Sequence, residues 1–141
     1  MTTIEVHRFT RTAILALATL IALPAPATAG PTRAPAAQPP LPPAAVKEAD
    51  AIYQTRCIGC HGPTGKGDGA VGAMLNPKPR DLGDPAWQKS VSDEHIEKII
   101  LGGGTAVGKS PLMPANNDLT NKPDVLKALR QMVRDFGNAK K

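Results

Sequence analysis

Apolar side chains recur at helical spacing in three segments of the chain, and no segment alternates in the manner of a strand. Residues 44–56 contain good helix formers and neither Gly nor Pro, and one face would carry Val46, Ala49, Ile52, Tyr53 and Arg56. Residues 92–101 have the stripe Ile96, Ile99 and Ile100. Residues 123–136 have the face Val125, Leu129, Met132, Val133 and Phe136. The pattern predicts an all-α domain.

The ends of these predicted helices carry recognisable signals. Ser92 is the expected N-cap of the second helix, acids occupy its first turn, and Gly102-Gly103-Gly104 ends it. In the third helix we expect Thr120 as N-cap, Pro123 in the first turn and Gly137 as the stop. The first helix would deliver residues 57–61 at its C-terminal end.

The segments between the helices are rich in Gly and Pro. Residues 62–85 support one short helical turn around Gly69 to Leu75 and otherwise read as loop. A loop of this length inside a compact domain is unusual unless it wraps something. A second loop, from Thr105 to Leu119, contains Pro111-Leu112-Met113-Pro114.

The N-terminal stretch has the organisation of a secretory signal peptide. Arg8 and Arg11 precede an apolar run over 13–23, and Ala27-Thr28-Ala29 is an A-x-A cleavage pattern. The alternative is an uncleaved membrane anchor, but the run is shorter than the roughly 20 residues that span a bilayer. We expect cleavage after Ala29 and export to the periplasm.

The predicted organisation has four parts. A signal peptide over 1–29 precedes a Pro/Ala-rich tether over 30–45, which would be extended and disordered. The functional domain covers 46–138, and residues 139–141 form a basic tail.

The net charge of +5 is modest. The lysines and arginines are scattered along the chain, with few aromatic residues between them. That distribution does not resemble a nucleic-acid binder, and it suits either simple solubility or docking to an acidic partner. After the signal peptide the aromatic residues are Tyr53, Trp87 and Phe136. So few large side chains predict a thin core, which a bound cofactor would complete.

The chain has two cysteines, and they form the sequence Cys57-Ile58-Gly59-Cys60-His61. C-x-x-C-H is the attachment signature of c-type haem. Two thiols would form thioether links to one haem, and His61 would ligate its iron. A thioredoxin-like pair would need a βαβ context, and a zinc site would need about four ligands. A disulfide between Cys57 and Cys60 would leave the large loops without a covalent link.

Met113 is the strongest candidate for the second axial ligand, because flanking prolines limit how far its loop can move. Met74 lies in a flexible loop, and Met132 is expected to pack in the core. His95 is expected at the surface, and Lys109 is a remote option.

The haem would need further contacts from the protein. Metal-bound histidines usually donate a hydrogen bond from their other ring nitrogen to an acceptor. For His61, the expected acceptor is a backbone carbonyl within 76–79. Arg80 and Trp87 are candidates to donate hydrogen bonds to the haem propionates. The alternatives are a solvated charge for Arg80 and core packing for Trp87.

The chain resembles the class I cytochromes c, the small bacterial monohaem type. The matching elements are Tyr53 to Gly62, Gly65 to Gly69, Pro79 to Leu82, Ile99 to Gly102 and Met113-Pro114, followed by a C-terminal helix. The resemblance implies a haem held by helices at both ends of the domain, which cross each other with Ala49 and Tyr53 in the contact. It also implies His/Met ligation and one-electron transfer. Met132 stands where similar proteins often have an aromatic, a gap that Met can fill.

These features predict a monomeric electron carrier rather than an enzyme. Its donor and acceptor would be redox proteins, with possible peripheral contact to membrane-bound complexes. Lys66, Lys78 and Lys109 could steer that docking. The alternative is the haem subunit of a larger periplasmic oxidoreductase. Catalysis or gas sensing through a displaceable Met113 is less favoured, because residues 102–117 contain no His, Asp or Glu.

Overall fold

The computed structural model describes residues 39–139. The predicted signal peptide, most of the predicted tether and the last two lysines lie outside them. The α-helices are α1 (Pro43–Ile52), α2 (Ile58–His61), α3 (Pro85–Ser90), α4 (Asp93–Gly102) and α5 (Pro123–Asn138). No strand occurs within 39–139, and the predicted all-α fold is confirmed. None of the helices described there is both long and apolar enough to cross a bilayer.

The motif Cys57–His61 lies at the C-terminal end of the first helical stretch, as predicted, and is itself helical. Between α1 and α2 the chain makes one π-helical segment, Tyr53–Cys57, so helical backbone continues to His61. The apolar face predicted for this helix is wrong at its first and last residues, Val46 and Arg56. Val46 is 41% exposed, because the small Ala45 and Ala49 make the contact beside it. Arg56 is exposed because the wider π turn changes which side chains share a face.

The two terminal helices of the described domain, α1 and α5, pack against each other as the resemblance implies. Ala49 is fully buried in this core, and the rings of Tyr53 and Phe136 lie 5.5 Å apart. The core that includes this contact consists of Ala45, Ala49, Ile52, Tyr53, Leu119, Val125, Ala128 and Leu129. Met132 packs against this core, which confirms the prediction that it packs there.

Helix α5 begins at the predicted residue but without the predicted cap. Thr120 lies in a 3₁₀ turn, Asn117–Asn121, and the N-cap position belongs to Lys122, which makes no side-chain cap bond. Gly137 does not end the helix either. A methyl group there would lie 2.7 Å from Gln88 Cγ, so glycine at this position allows α3 to approach α5.

Helix α3 was not predicted, although its start carries a clear signal. The Asp84 carboxylate accepts a hydrogen bond from Ala86 N at 2.9 Å, and Pro85 occupies the first turn. Gln88 on this helix donates to the carbonyls of Leu82 and Val133. At the start of α4, Ser92 accepts from His95 N at 3.2 Å, so the predicted cap is confirmed.

A partly buried ion-pair network joins α4 to α5. Arg130 is 7% exposed and lies 3.1 Å from an Asp93 oxygen and 3.4 Å from a Glu97 oxygen. Arg134 pairs with Asp93 at 2.8 Å and also donates to the backbone of Gln88 and Val91. Paired in this way, charged side chains can occupy the mostly apolar helix contact.

Because α1 packs closely against α5, we expect position 49 to accept only a small side chain. Ala49→Leu would force a larger side chain into the fully buried position and should lower the free energy of unfolding by about 2 kcal/mol. Ala51→Leu, on the exposed face of the same helix, is the matched control and should change it little. Denaturant unfolding of the two variants measures the difference. Equal stability of the two would contradict close packing at Ala49.

Candidate functional site

The two cysteines lie one helical turn apart on the first helical stretch. Cys57 ends the π-helical segment and Cys60 lies in α2, so the two thiols project from neighbouring positions. Both are free and half-buried. The pKa of Cys57 is raised, mainly by burial, and the nearby Cys60 adds to this while Arg56 opposes it.

The glycine-rich loop after the motif closes the C-terminal end of α2. Three successive carbonyls of the motif, those of Gly59, Cys60 and His61, accept hydrogen bonds from Val71 N at 2.8 Å, Gly69 N at 3.3 Å and Gly67 N at 2.9 Å. The last carbonyls of a helix have no partner within it. The loop supplies those partners and holds the motif in place. The predicted short turn of this loop is present as the 3₁₀ turn Gly72–Met74.

Two glycines allow this loop to lie so close to the motif. A methyl group at Gly69 would overlap the carbonyl oxygens of Ile58 and Gly59, and one at Gly72 would overlap that of Cys60. The sequence predicts a loop that wraps a bound group, but it does not reveal this direct support of the helix. The signal that could have indicated it is the recurrence of glycine at 65, 67, 69 and 72.

Tyr53 supports the same end of the motif from within the core. Its hydroxyl donates to the carbonyl of Gly62 at 2.7 Å. Burial raises the pKa of Tyr53 to about 12, with smaller contributions from Cys57 and Asp68. The phenol therefore stays protonated at neutral pH and remains a hydrogen-bond donor.

His61 is held in a state that suits metal coordination. Burial lowers the pKa of His61, and the nearby backbone of Arg80 only partly opposes that effect. Nδ1 is buried and has no hydrogen bond of good geometry. The backbone that acts on the ring is one residue beyond the predicted stretch 76–79. Because a metal binds the neutral imidazole, this buried ring and the two half-buried thiols fit the proximal side of a haem.

Met113 is half-buried in the loop that follows α4. Its carbonyl accepts from Gly104 N at 3.0 Å, and a methyl group at Gly103 would lie 2.6 Å from the same oxygen. The close approach of the two chain segments fixes the backbone of Met113. The structure thus gives the residue an ordered place between α4 and α5.

The other residues considered as iron ligands have different surroundings. Met74 is 78% exposed, and Lys109 is exposed as well. His95 is partly exposed near the start of α4. Within residues 39–139 no three His, Cys, Asp or Glu side chains form a possible metal-binding group. A zinc site therefore receives no support from this part of the chain.

The two candidate propionate contacts have protein partners of their own. Arg80 is exposed and lies 3.7 Å from an Asp84 oxygen. Trp87 is partly buried and packs against the cluster of Leu82, Ile96 and Val133. These positions fit the two alternatives, surface charge and packing, and leave the propionate contacts as predictions.

Comparison with known families gives one result that agrees with this geometry. Residues 46–127 match the family model described as Cytochrome c. The matched range includes the motif, the glycine-rich loop and the Met113 loop, and it is more than half of the chain. The comparison with curated proteins gave no match.

Proposed function

Because the chain belongs to the cytochrome c family, we propose that it is a periplasmic one-electron carrier whose single covalent haem c has His61 and Met113 as axial ligands. The family binds covalent haem c and its members carry electrons through it. The observation that carries the proposal is the geometry of Cys57, Cys60 and His61. A haem held there supplies the reversible one-electron chemistry of iron.

The residues of the motif have different roles in holding the haem. Cys57 and Cys60 bind it covalently, one helical turn apart. His61 contributes a ring whose pKa is lowered by burial, so it coordinates without first losing a proton at neutral pH. The glycine-rich loop and Tyr53 keep the end of α2 from fraying.

Met113 would hold the iron on the side of the haem opposite His61. Its backbone is fixed against Gly103 and Gly104, and residues 102–117 contain no His, Asp or Glu. If His61 and Met113 both held the iron, no coordination site would be open to a substrate. The proposed site therefore suits electron transfer rather than catalysis.

The partners we propose are acidic redox proteins, with peripheral contact to membrane-bound redox complexes. Lys66, Lys78 and Lys109 are all exposed, and exposed positive charges speed encounter with an acidic surface. The periplasmic location rests on the predicted signal peptide. The protein would act there as a monomer.

Met113→Ala tests the ligation. The variant is expected to lose the low-spin ferric spectrum of the native protein and to lower the reduction potential by an amount on the order of 100 mV, because the thioether favours the ferrous state. Visible spectroscopy and potentiometric titration measure the two effects. Met74→Ala removes an exposed methionine and is the matched control, for which we expect no change. An unchanged spectrum and potential in Met113→Ala would rule out the assignment.

A further inference from the structure

Arg56 connects the haem-attachment helix to the segment that follows Met113. It directly precedes Cys57, and its Nη1 donates to Asn116 Oδ1 at 3.2 Å. The same nitrogen lies 2.9 Å and 3.0 Å from the two carboxylate oxygens of Asp118. These hydrogen bonds join the segment that carries Cys57 to the segment that follows Met113, although the two are far apart in the sequence.

Asn116 extends this connection to other parts of the fold, because all its polar groups form hydrogen bonds. Its backbone N–H donates to the carbonyl of Leu101 at 2.9 Å, and its Nδ2 donates to that of Ile100 at 2.9 Å. Its own carbonyl accepts from Leu119 N at 3.0 Å. Asn116 thus joins the end of α4, the following 3₁₀ turn and Arg56.

The Met113 loop, residues 103–116, is otherwise held by hydrogen bonds between its own residues. Within it, Gly104 N donates to the Met113 carbonyl and Lys109 N donates to the Gly104 carbonyl at 2.8 Å. Leu112 is 58% exposed, and Pro111 and Pro114 are exposed too. A loop that buries little apolar surface opens locally at low free-energy cost. Its C-terminal end is held mainly through Asn116.

We propose that Arg56 is a positioning residue for Met113, which it acts on by fastening Asn116 and Asp118 to the helix that carries Cys57. The proposal rests on the proposed ligation of iron by Met113. Breaking the hydrogen bonds of Arg56 would loosen the C-terminal end of the Met113 loop and leave the rest of the fold in place.

The expected effect is local and modest in size. The Arg56 and Asp118 side chains are 43% and 50% exposed, and exposed ion pairs contribute little to overall stability. The pKa of Asp118 is nevertheless lowered, chiefly by its hydrogen bond from Arg56, which agrees with a formed contact. We expect loss of the contact to shift the closed-to-open equilibrium of the loop by about two- to fivefold.

The test uses the haem-loaded protein and a control pair of the same kind. Lys122 and Glu48 form an equally exposed ion pair at 2.6 Å that does not touch the Met113 loop. Imidazole is the probe, because it binds ferric iron once the native ligand moves away. Arg56→Gln should bind imidazole about two- to fivefold more tightly and exchange the Asn116 and Gly104 amide protons faster. Arg56→Lys should restore part of the difference, and Glu48→Gln should leave both readouts unchanged.

Two results separate the possible failures. If Arg56→Gln behaves as Glu48→Gln does in both readouts, Arg56 is not a positioning residue and the proposal is overturned. If Met113→Ala binds imidazole no more tightly than the native protein, the ligation assignment fails. Faster loop exchange in Arg56→Gln would then still support its hold on the loop, because amide exchange does not depend on which side chain binds iron.

Discussion

Replacing both Cys57 and Cys60 by alanine should yield a protein whose haem can be extracted by acidified organic solvent, whereas the native protein should keep its haem through the same treatment. The thiols are the chain's only means of covalent attachment. Without them, the proximal side of the haem is held by His61 alone. Acid unfolds the protein and protonates the exposed imidazole, which can then no longer bind iron.

The single variants are the controls for this result. Cys57→Ala and Cys60→Ala each keep one thiol, so the haem should stay with the polypeptide on a denaturing gel that is stained for haem. The double variant should also unfold at a lower temperature. The core within 39–139 has few large side chains, of which Leu119 is the most completely buried, so the haem would be a major part of that core. Haem that stays on the double variant through extraction would disprove attachment at these residues.

The helices and the motif could be predicted because their signals are local. Ser92 caps α4, and Pro123 lies in the first turn of α5, where a missing N–H costs nothing. The spacing of Cys57, Cys60 and His61 is likewise set within five residues. Features of this kind depend on neighbours in the sequence, so a single sequence reveals them.

Features that depend on distant contacts were missed. Gly137 has the residue type of a helix stop, but here it makes room for Gln88 of α3. Arg56 was placed on the apolar face by periodicity, and the π-helical segment turns it toward Asn116. Arg130 is buried where Asp93 and Glu97 of another helix approach it. None of these partners is close in the sequence.

Gly69→Ala should strongly destabilise the loop that supports the motif. A methyl group there would overlap the backbone oxygens of Ile58 and Gly59. Backbone cannot rotate away as a side chain can, so the loop or α2 would have to move. The hydrogen bond from Gly69 N to the Cys60 carbonyl would be lost with it. We expect the free energy of unfolding to fall by at least about 3 kcal/mol, measured by denaturant unfolding of the haem-loaded protein.

Gly59→Ala is the matched control, since it adds the same methyl group on the other side of this contact. Gly59 lies within α2, and the nearest atom to the added carbon would be Val71 Cγ2 at 3.8 Å, an ordinary contact. Alanine loses less conformational entropy than glycine in a helix, so this variant should be more stable by up to about 1 kcal/mol. The same chemical change should therefore have opposite signs at two positions whose backbones touch. If Gly69→Ala were as stable as Gly59→Ala, the glycine-rich loop could not be packed on the carbonyls of the haem-attachment helix, and its spacing of glycines would need another cause.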